Sequence, residues 1–150
     1  MIIKIKLFDK TLPLPKIHSA GAAGIDLYAR VETVIAPKDI GYIPLNIALE
    51  IPQGYWVQLV ARSSTHKIGL MPANGIGVVD SDFCGDTDEY RFAAYNFTDQ
   101  PVTIERGQRI AQMIIMRSEP VTLNQVDSLS GQDRGGFGTT GKEGLSFQSR

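Results

Sequence analysis

Glycine and proline punctuate this chain at short intervals, and that spacing limits what it can fold into more than any other feature. The 15 glycines and 8 prolines among 150 residues are spread along the chain, which suits many short strands joined by turns and disfavours a helical bundle. Between the breaks the apolar residues alternate. Ile3, Ile5 and Leu7 are interleaved with Lys4, Lys6 and Phe8, the period of two of a half-buried strand. Further β-like runs are expected at Tyr42 to Ile51, which ends at the turn Pro52-Gln53-Gly54, at Tyr55 to Ala61, at Val102 to Ile104 and at Ile110 to Met116. Glu105-Arg106-Gly107-Gln108 is expected to turn between the last two. The best helix candidate, Glu119 to Leu129, carries Pro120, and no window sustains the three-and-four spacing of a helix. The reading is all-β.

A length of 150 residues with 43% hydrophobic content suits a single core that buries roughly 68–70% of the unfolded surface. Lys plus Arg number 15 against 16 Asp plus Glu, a net charge of −1, so bulk attraction to a polyanion is excluded and no nucleic-acid partner is expected. Any phosphate must be held locally. Lysines interrupt the apolar start far short of the ~20 residues of a membrane span, and no cleavage pattern follows, so the expectation is a soluble, cytoplasmic protein without a membrane partner. The single cysteine, Cys84, has no base partner in view and reads as an inert buried thiol. From Ser128 the composition turns glycine-rich and polar. The expected division is a β-barrel domain over 1–130 and a flexible arm over 131–150, either disordered or ordering over a ligand.

Three segments carry candidate chemistry. Asp80-Ser81-Asp82 follows the apolar Val78-Val79 where a strand gives way to a turn, a place for a reactive carboxylate and equally for turn-capping aspartates. Asp26 lies in an apolar run, where an unpaired charge is costly, so it needs a cation, hydrogen bonds or a metal-bound water. Ala61-Arg62-Ser63-Ser64-Thr65 closes a β-run with one guanidinium and three hydroxyls, donors suited to phosphate oxygens or to an ordinary polar turn. In the tail, glycines around Phe137 allow close backbone approach to phosphate and leave the ring free to stack on a base; the spacing is not that of a Walker A loop.

Five segments in this order resemble the homotrimeric dUTPase family over nearly the whole chain. They are Ala23-Gly24-Ile25-Asp26-Leu27, Ala61-Arg62-Ser63-Ser64, Gly77-Val78-Val79-Asp80-Ser81-Asp82-Phe83-Cys84-Gly85, Gly107-Gln108-Arg109-Ile110-Ala111-Gln112-Met113-Ile114 and Arg134-Gly135-Gly136-Phe137-Gly138-Thr139-Thr140-Gly141. The resemblance implies a homotrimer of distorted jelly-roll subunits with shared active sites. It implies hydrolysis of dUTP to dUMP and pyrophosphate with Mg²⁺, which limits uracil incorporation into DNA and supplies dUMP for dTMP synthesis.

By the same resemblance Asp80 is the general base, and Arg62, Ser63, Ser64 and Gln112 hold phosphate oxygens. Asp26 positions Mg²⁺ through a water, and Phe83 packs beneath the deoxyribose. Asn74, with the backbone around Gly77 and Val79, reads the uracil edge from a narrow hairpin. Phe137 stacks on uracil, while Arg134, Gly138 and Thr139 reach the terminal phosphates. Phe83 stands where the family has Tyr, Ala61 where it has Pro, and the stretch from Gly85 to Asn96 is longer than the common pattern. The fifth segment lacks residues usually found between its Arg and its Gly-Phe-Gly. The rival reading is dCTP deaminase, which resembles this fold and needs a glutamate beyond the third segment, with Glu89 as candidate. A binding or regulatory protein that keeps the fold without turnover is disfavoured, since every named catalytic position holds a competent side chain.

Overall fold

The computed structural model describes residues 1–135. The chain divides into two units, Met1–Pro120 and Val121–Arg150. In the second, residues 121–135 carry neither helix nor strand, so Glu119 to Leu129 is not helical. Pro120 removes a backbone donor where that helix would begin, and no apolar face repays its formation.

The first unit is all-β. In chain order the strands are β1 (Lys4–Leu7), β2 (Ile25–Tyr28), β3 (Thr33–Ile35), β4 (Ile40–Pro44), β5 (Ile47–Glu50), β6 (Tyr55–Ala61), β7 (Leu70–Pro72), β8 (Gly77–Val79), β9 (Arg91–Asn96), β10 (Val102–Ile104) and β11 (Arg109–Arg117). One 3₁₀ turn, Thr65–Ile68, follows β6. The sheets run β2-β11-β6-β8, β4-β9-β7, β1-β5 and β10-β3, and every pairing is antiparallel. Strands distant in sequence are neighbours in space, as in a jelly roll. Among the described residues no helix is long and apolar enough to cross a membrane.

The strands alternate because one face of each meets the core. Leu27, Ile43, Leu45, Ile47, Val57 and Leu70 are fully buried there, each contributing about 1.5–3 kcal/mol of transfer free energy. The run Tyr42 to Ile51 is not one strand as expected. It breaks at Asn46, whose φ is +67°, because β4 pairs with β9 while β5 pairs with β1. One apolar run thus serves two sheets. The Asn46 carboxamide secures the break by donating to the Asp9 carbonyl at 3.0 Å and accepting from the Asp9 N–H at 2.6 Å. The turn at 105–108 does form, with Gly107 at φ +82° and a Gln108 N–H to Glu105 carbonyl bond of 3.1 Å. It joins no hairpin, however: β10 pairs with β3, and β11 lies between β2 and β6.

Candidate active site

Asp80 immediately follows β8, where the backbone leaves the sheet and can present a side chain. It lies on the rim of a cleft of ≈570 Å³ that also gathers Asn74, Gly77, Val79, Phe83 and Tyr90. Leu59 and Ala93 supply apolar wall, so the cleft suits a flat, mostly apolar body with a few polar edges. Asn74 sits in the connection between β7 and β8. Those strands pair with β9 and β6 respectively, not with each other, so the expected narrow hairpin is a crossing between two sheets. Phe83 is 42% exposed at the mouth. Its ring centre lies 6.2 Å from that of Tyr90, with the planes tilted by 34°.

Glu89 also borders the cleft, yet its carboxylate is engaged behind it. Oε1 accepts from Arg30 Nε at 2.7 Å and from the Asn46 N–H at 3.0 Å, while Oε2 accepts from Arg30 at 2.9 Å. The pairing raises the Arg30 pKa further above its ordinary value. A carboxylate held by a forked guanidinium is not available as the proton shuttle that a deaminase needs. Cys84, expected to be buried, is exposed, because the turn after Asp80 carries it away from the core.

The second cluster forms where β6 ends beside β11. Gln112 of β11 lies opposite Asp26 of β2 and Val60 of β6. A register shift between Arg109 and Ala111 inserts an extra residue into β11, a bulge of the kind that re-aims neighbouring side chains. Asp26, its side chain only 14% exposed, receives Arg62 Nε at 2.9 Å on one oxygen and Arg109 at 3.1 Å on the other. The cation expected beside Asp26 is therefore two cations. Gln112 Nε2 donates to the Ala61 carbonyl at 3.0 Å, and Gly24 permits this, since a Cβ there would run into the Gln112 carboxamide.

Thr65 is buried, with its hydroxyl taking the Arg62 N–H at 3.1 Å and donating to the Ile110 carbonyl at 3.0 Å. Of the three hydroxyls in the segment, this one is spent on holding the loop. Ser64 and Arg62 open onto a pocket of ≈340 Å³ shared with Lys67 and Arg109, while Ser63 is exposed. Sequence reasoning assigned no role to Arg109 or Lys67. The signal available for Arg109 was its place in the fourth segment, three residues before Gln112.

The structure therefore brings Asn74, Gly77, Val79, Asp80 and Phe83 together and separately joins Asp26, Arg62, Ser64 and Arg109. Arg134 belongs to the second unit. Phe137, Gly138 and Thr139 lie outside the described residues. Among the described residues no three His, Cys, Asp or Glu side chains gather as a metal cage. A lone carboxylate flanked by guanidiniums fits an ion held chiefly by phosphate oxygens and waters, as Mg²⁺ usually is.

A cleft with apolar wall and a carboxylate, Asp80, at its rim, and a pocket lined by the three cations Arg62, Lys67 and Arg109, are features of an enzyme acting on nucleotides. Comparison with known proteins specifies which one. The dUTPase family model matches residues 10–141. The chain is 43% identical over 148 residues to the deoxyuridine 5′-triphosphate nucleotidohydrolase of Caldanaerobacter subterraneus subsp. tengcongensis, with 94% of this chain and 98% of that one covered. It is 41% identical over 143 residues to the SPbeta prophage-derived deoxyuridine 5′-triphosphate nucleotidohydrolase YosS of Bacillus subtilis, with 94% and 99% covered. The crystal structure of dUTPase from Streptococcus mutans is similar at a TM-score of 0.72 and 29% identity, over 79% of this chain and 98% of that one. The chain belongs to the dUTPase family, the dUTP diphosphatases.

Proposed function

We propose that this chain cleaves dUTP to dUMP and pyrophosphate with Asp80 as general base, in a cytoplasmic homotrimer whose active sites each draw on more than one copy. The observation that carries the proposal is the division of labour within one chain: the cleft holding Asp80 and the pocket holding Arg62 are separate, with no lining residue in common. A nucleoside in the cleft of one copy meets its phosphates' cations when a neighbouring copy presents the second pocket.

In this reading Asn74 and the backbone at Gly77 and Val79 take the uracil edge, and Phe83 supports the deoxyribose. Asp80 orients a water and accepts its proton as the water oxygen bonds to the α-phosphorus, while the bridging oxygen leaves with pyrophosphate. Arg62, Ser63, Ser64 and Gln112 hold phosphate oxygens. Bound Mg²⁺, with Asp26 accepting from one of its waters, would offset phosphate charge. Arg134, Phe137, Gly138 and Thr139 close over the ligand and exclude bulk water.

Pyrophosphate release across a panel of nucleoside triphosphates, with and without Mg²⁺, tests the reaction. Turnover is expected with dUTP and Mg²⁺, and deamination of dCTP would overturn it. Sharing is tested by co-expressing Asp80→Asn and Arg62→Met chains. Each is expected to be inactive alone, and mixed assemblies are expected to regain activity; failure of every mixture to do so removes the shared site.

A further inference from the structure

The Tyr90 hydroxyl is the one buried side-chain polar atom without a hydrogen-bond partner among the described residues. The residue is 1% exposed. Its backbone is committed, with the N–H donating to Ile47 and the carbonyl accepting from Leu45 at 2.9 and 2.8 Å. Phenylalanine would fill the same space without enclosing an unpaired polar group, an arrangement that normally costs stability. Two further facts bear on the hydroxyl's use. Tyr90 lines the cleft that holds Asp80 and Asn74, and the neighbouring ring, Phe83, stands exposed on the turn after β8. Burial, with a smaller effect from Cys84, pushes the phenol pKa well above its ordinary value, so the group stays neutral at every physiological pH. A neutral donor and acceptor suits the uncharged half of a nucleotide better than its phosphates.

We propose that the Tyr90 hydroxyl is a hydrogen-bond partner for the nucleoside moiety of the substrate, uncovered when the Phe83 ring shifts as the nucleoside seats. The inference rests on the cleft being the nucleoside site. Tyr90 then binds substrate in a position that the longer stretch after Gly85 supplies. Phe83 carries no hydroxyl, whereas Tyr90, which lines the same cleft, does.

The experiment compares Tyr90→Phe with the unaltered enzyme on dUTP and on its 2′,3′-dideoxy analogue, recording KM, kcat and thermal midpoint. The expected result is a KM for dUTP raised about five- to tenfold with kcat within about twofold, the loss of one neutral hydrogen bond. If the penalty disappears with the dideoxy analogue, the bond goes to the sugar hydroxyl; if it persists, the bond goes to the base. An unchanged KM, with or without a raised thermal midpoint, overturns the inference and leaves a purely structural hydroxyl. Asn74→Ala separates the two levels of the argument. If it raises KM while Tyr90→Phe does not, only the role of Tyr90 falls; if it leaves KM unchanged, the cleft is not the nucleoside site.

Discussion

The cleft beside β8 and the pocket beside β11 differ in how much of their chemistry is already in use. In the cleft, Asp80 takes part in no ion pair among the described residues, and the Tyr90 hydroxyl is idle. At the pocket, Arg62 and Arg109 are bonded to Asp26 beside it, and Gln112 nearby on β11 is bonded to backbone. Asp80 and Tyr90 are thus unspent while Glu89 on the same cleft is not, whereas Asp26 holds Arg62 and Arg109 in place before any ligand arrives. Loss of the Asp80 carboxylate should therefore register in catalysis alone, and changes at Arg62 or Gln112 in catalysis and stability together.

The strongest test of that contrast is Asp80→Asn. Its kcat is expected to fall by about 10²–10⁴, the usual contribution of a general base, with the thermal midpoint unmoved. Unchanged turnover would remove the base assignment, and a lowered midpoint would blur the contrast. Arg62→Lys comes next. It keeps the charge but loses the fork that spans Asp26, Ser64 and the Arg109 carbonyl, so kcat/KM should fall by about 10–10² and the midpoint should fall with it. Stability equal to the parent's would show that Arg109 alone suffices for Asp26.

Gly24→Ala has a smaller expected effect. The added methyl evicts the Gln112 carboxamide from the Ala61 carbonyl, and the loss of about 1 kcal/mol should lower the midpoint by about 2–4 °C. Kinetics should report a kcat/KM reduced by about tenfold through misplacement of Gln112.

The smallest effect lies outside both regions and serves as their control. Asp9 accepts from Thr11 and Arg106, and these bonds lower its pKa from 3.8 to about 2. The folded state favours its ionised form, so this stabilisation is complete above pH 3.8 and is lost as pH falls toward about 2. Asp9→Asn should flatten the stability curve in that window without altering kcat at neutral pH. Circular dichroism across acid unfolding, beside a neutral assay, measures both.

Much of the fold was legible because alternation and punctuation act locally. Tyr55 to Ala61 is β6 as read, and Val102 to Ile104 is β10. What local pattern could not carry was partnership. Nothing within Tyr42 to Ile51 says that its halves join different sheets; that depends on Asp9 and Glu89, 37 and 43 positions from Asn46, seizing the polar groups of Asn46. The turn at 105–108 was readable from its glycine, but the destination of its strands was not.

The candidate site shows the same divide. A strand-to-turn transition singled out Asp80 and the cost of a charge among apolar neighbours singled out Asp26, but their expected roles came only from the family resemblance. Thr65 was left open between a ligand donor and a polar turn, because a hydroxyl's sequence position does not reveal that it bonds the Ile110 carbonyl. Arg109 went unassigned because its reach to Asp26 depends on local strand geometry. Tyr90 drew no reading from the sequence, and only the fold shows its oxygen to lack a partner among the described residues.

The exposed Cys84 has a practical consequence. With one cysteine in the chain and that thiol at the surface, a maleimide dye or spin label would attach at a single position, next in sequence to Phe83. The protein thus carries its own reporter site for watching the loop beside the cleft respond to nucleotide, with no need to remove other thiols first. Preparations stored without reductant should, by the same chemistry, slowly accumulate pairs of chains joined through this residue.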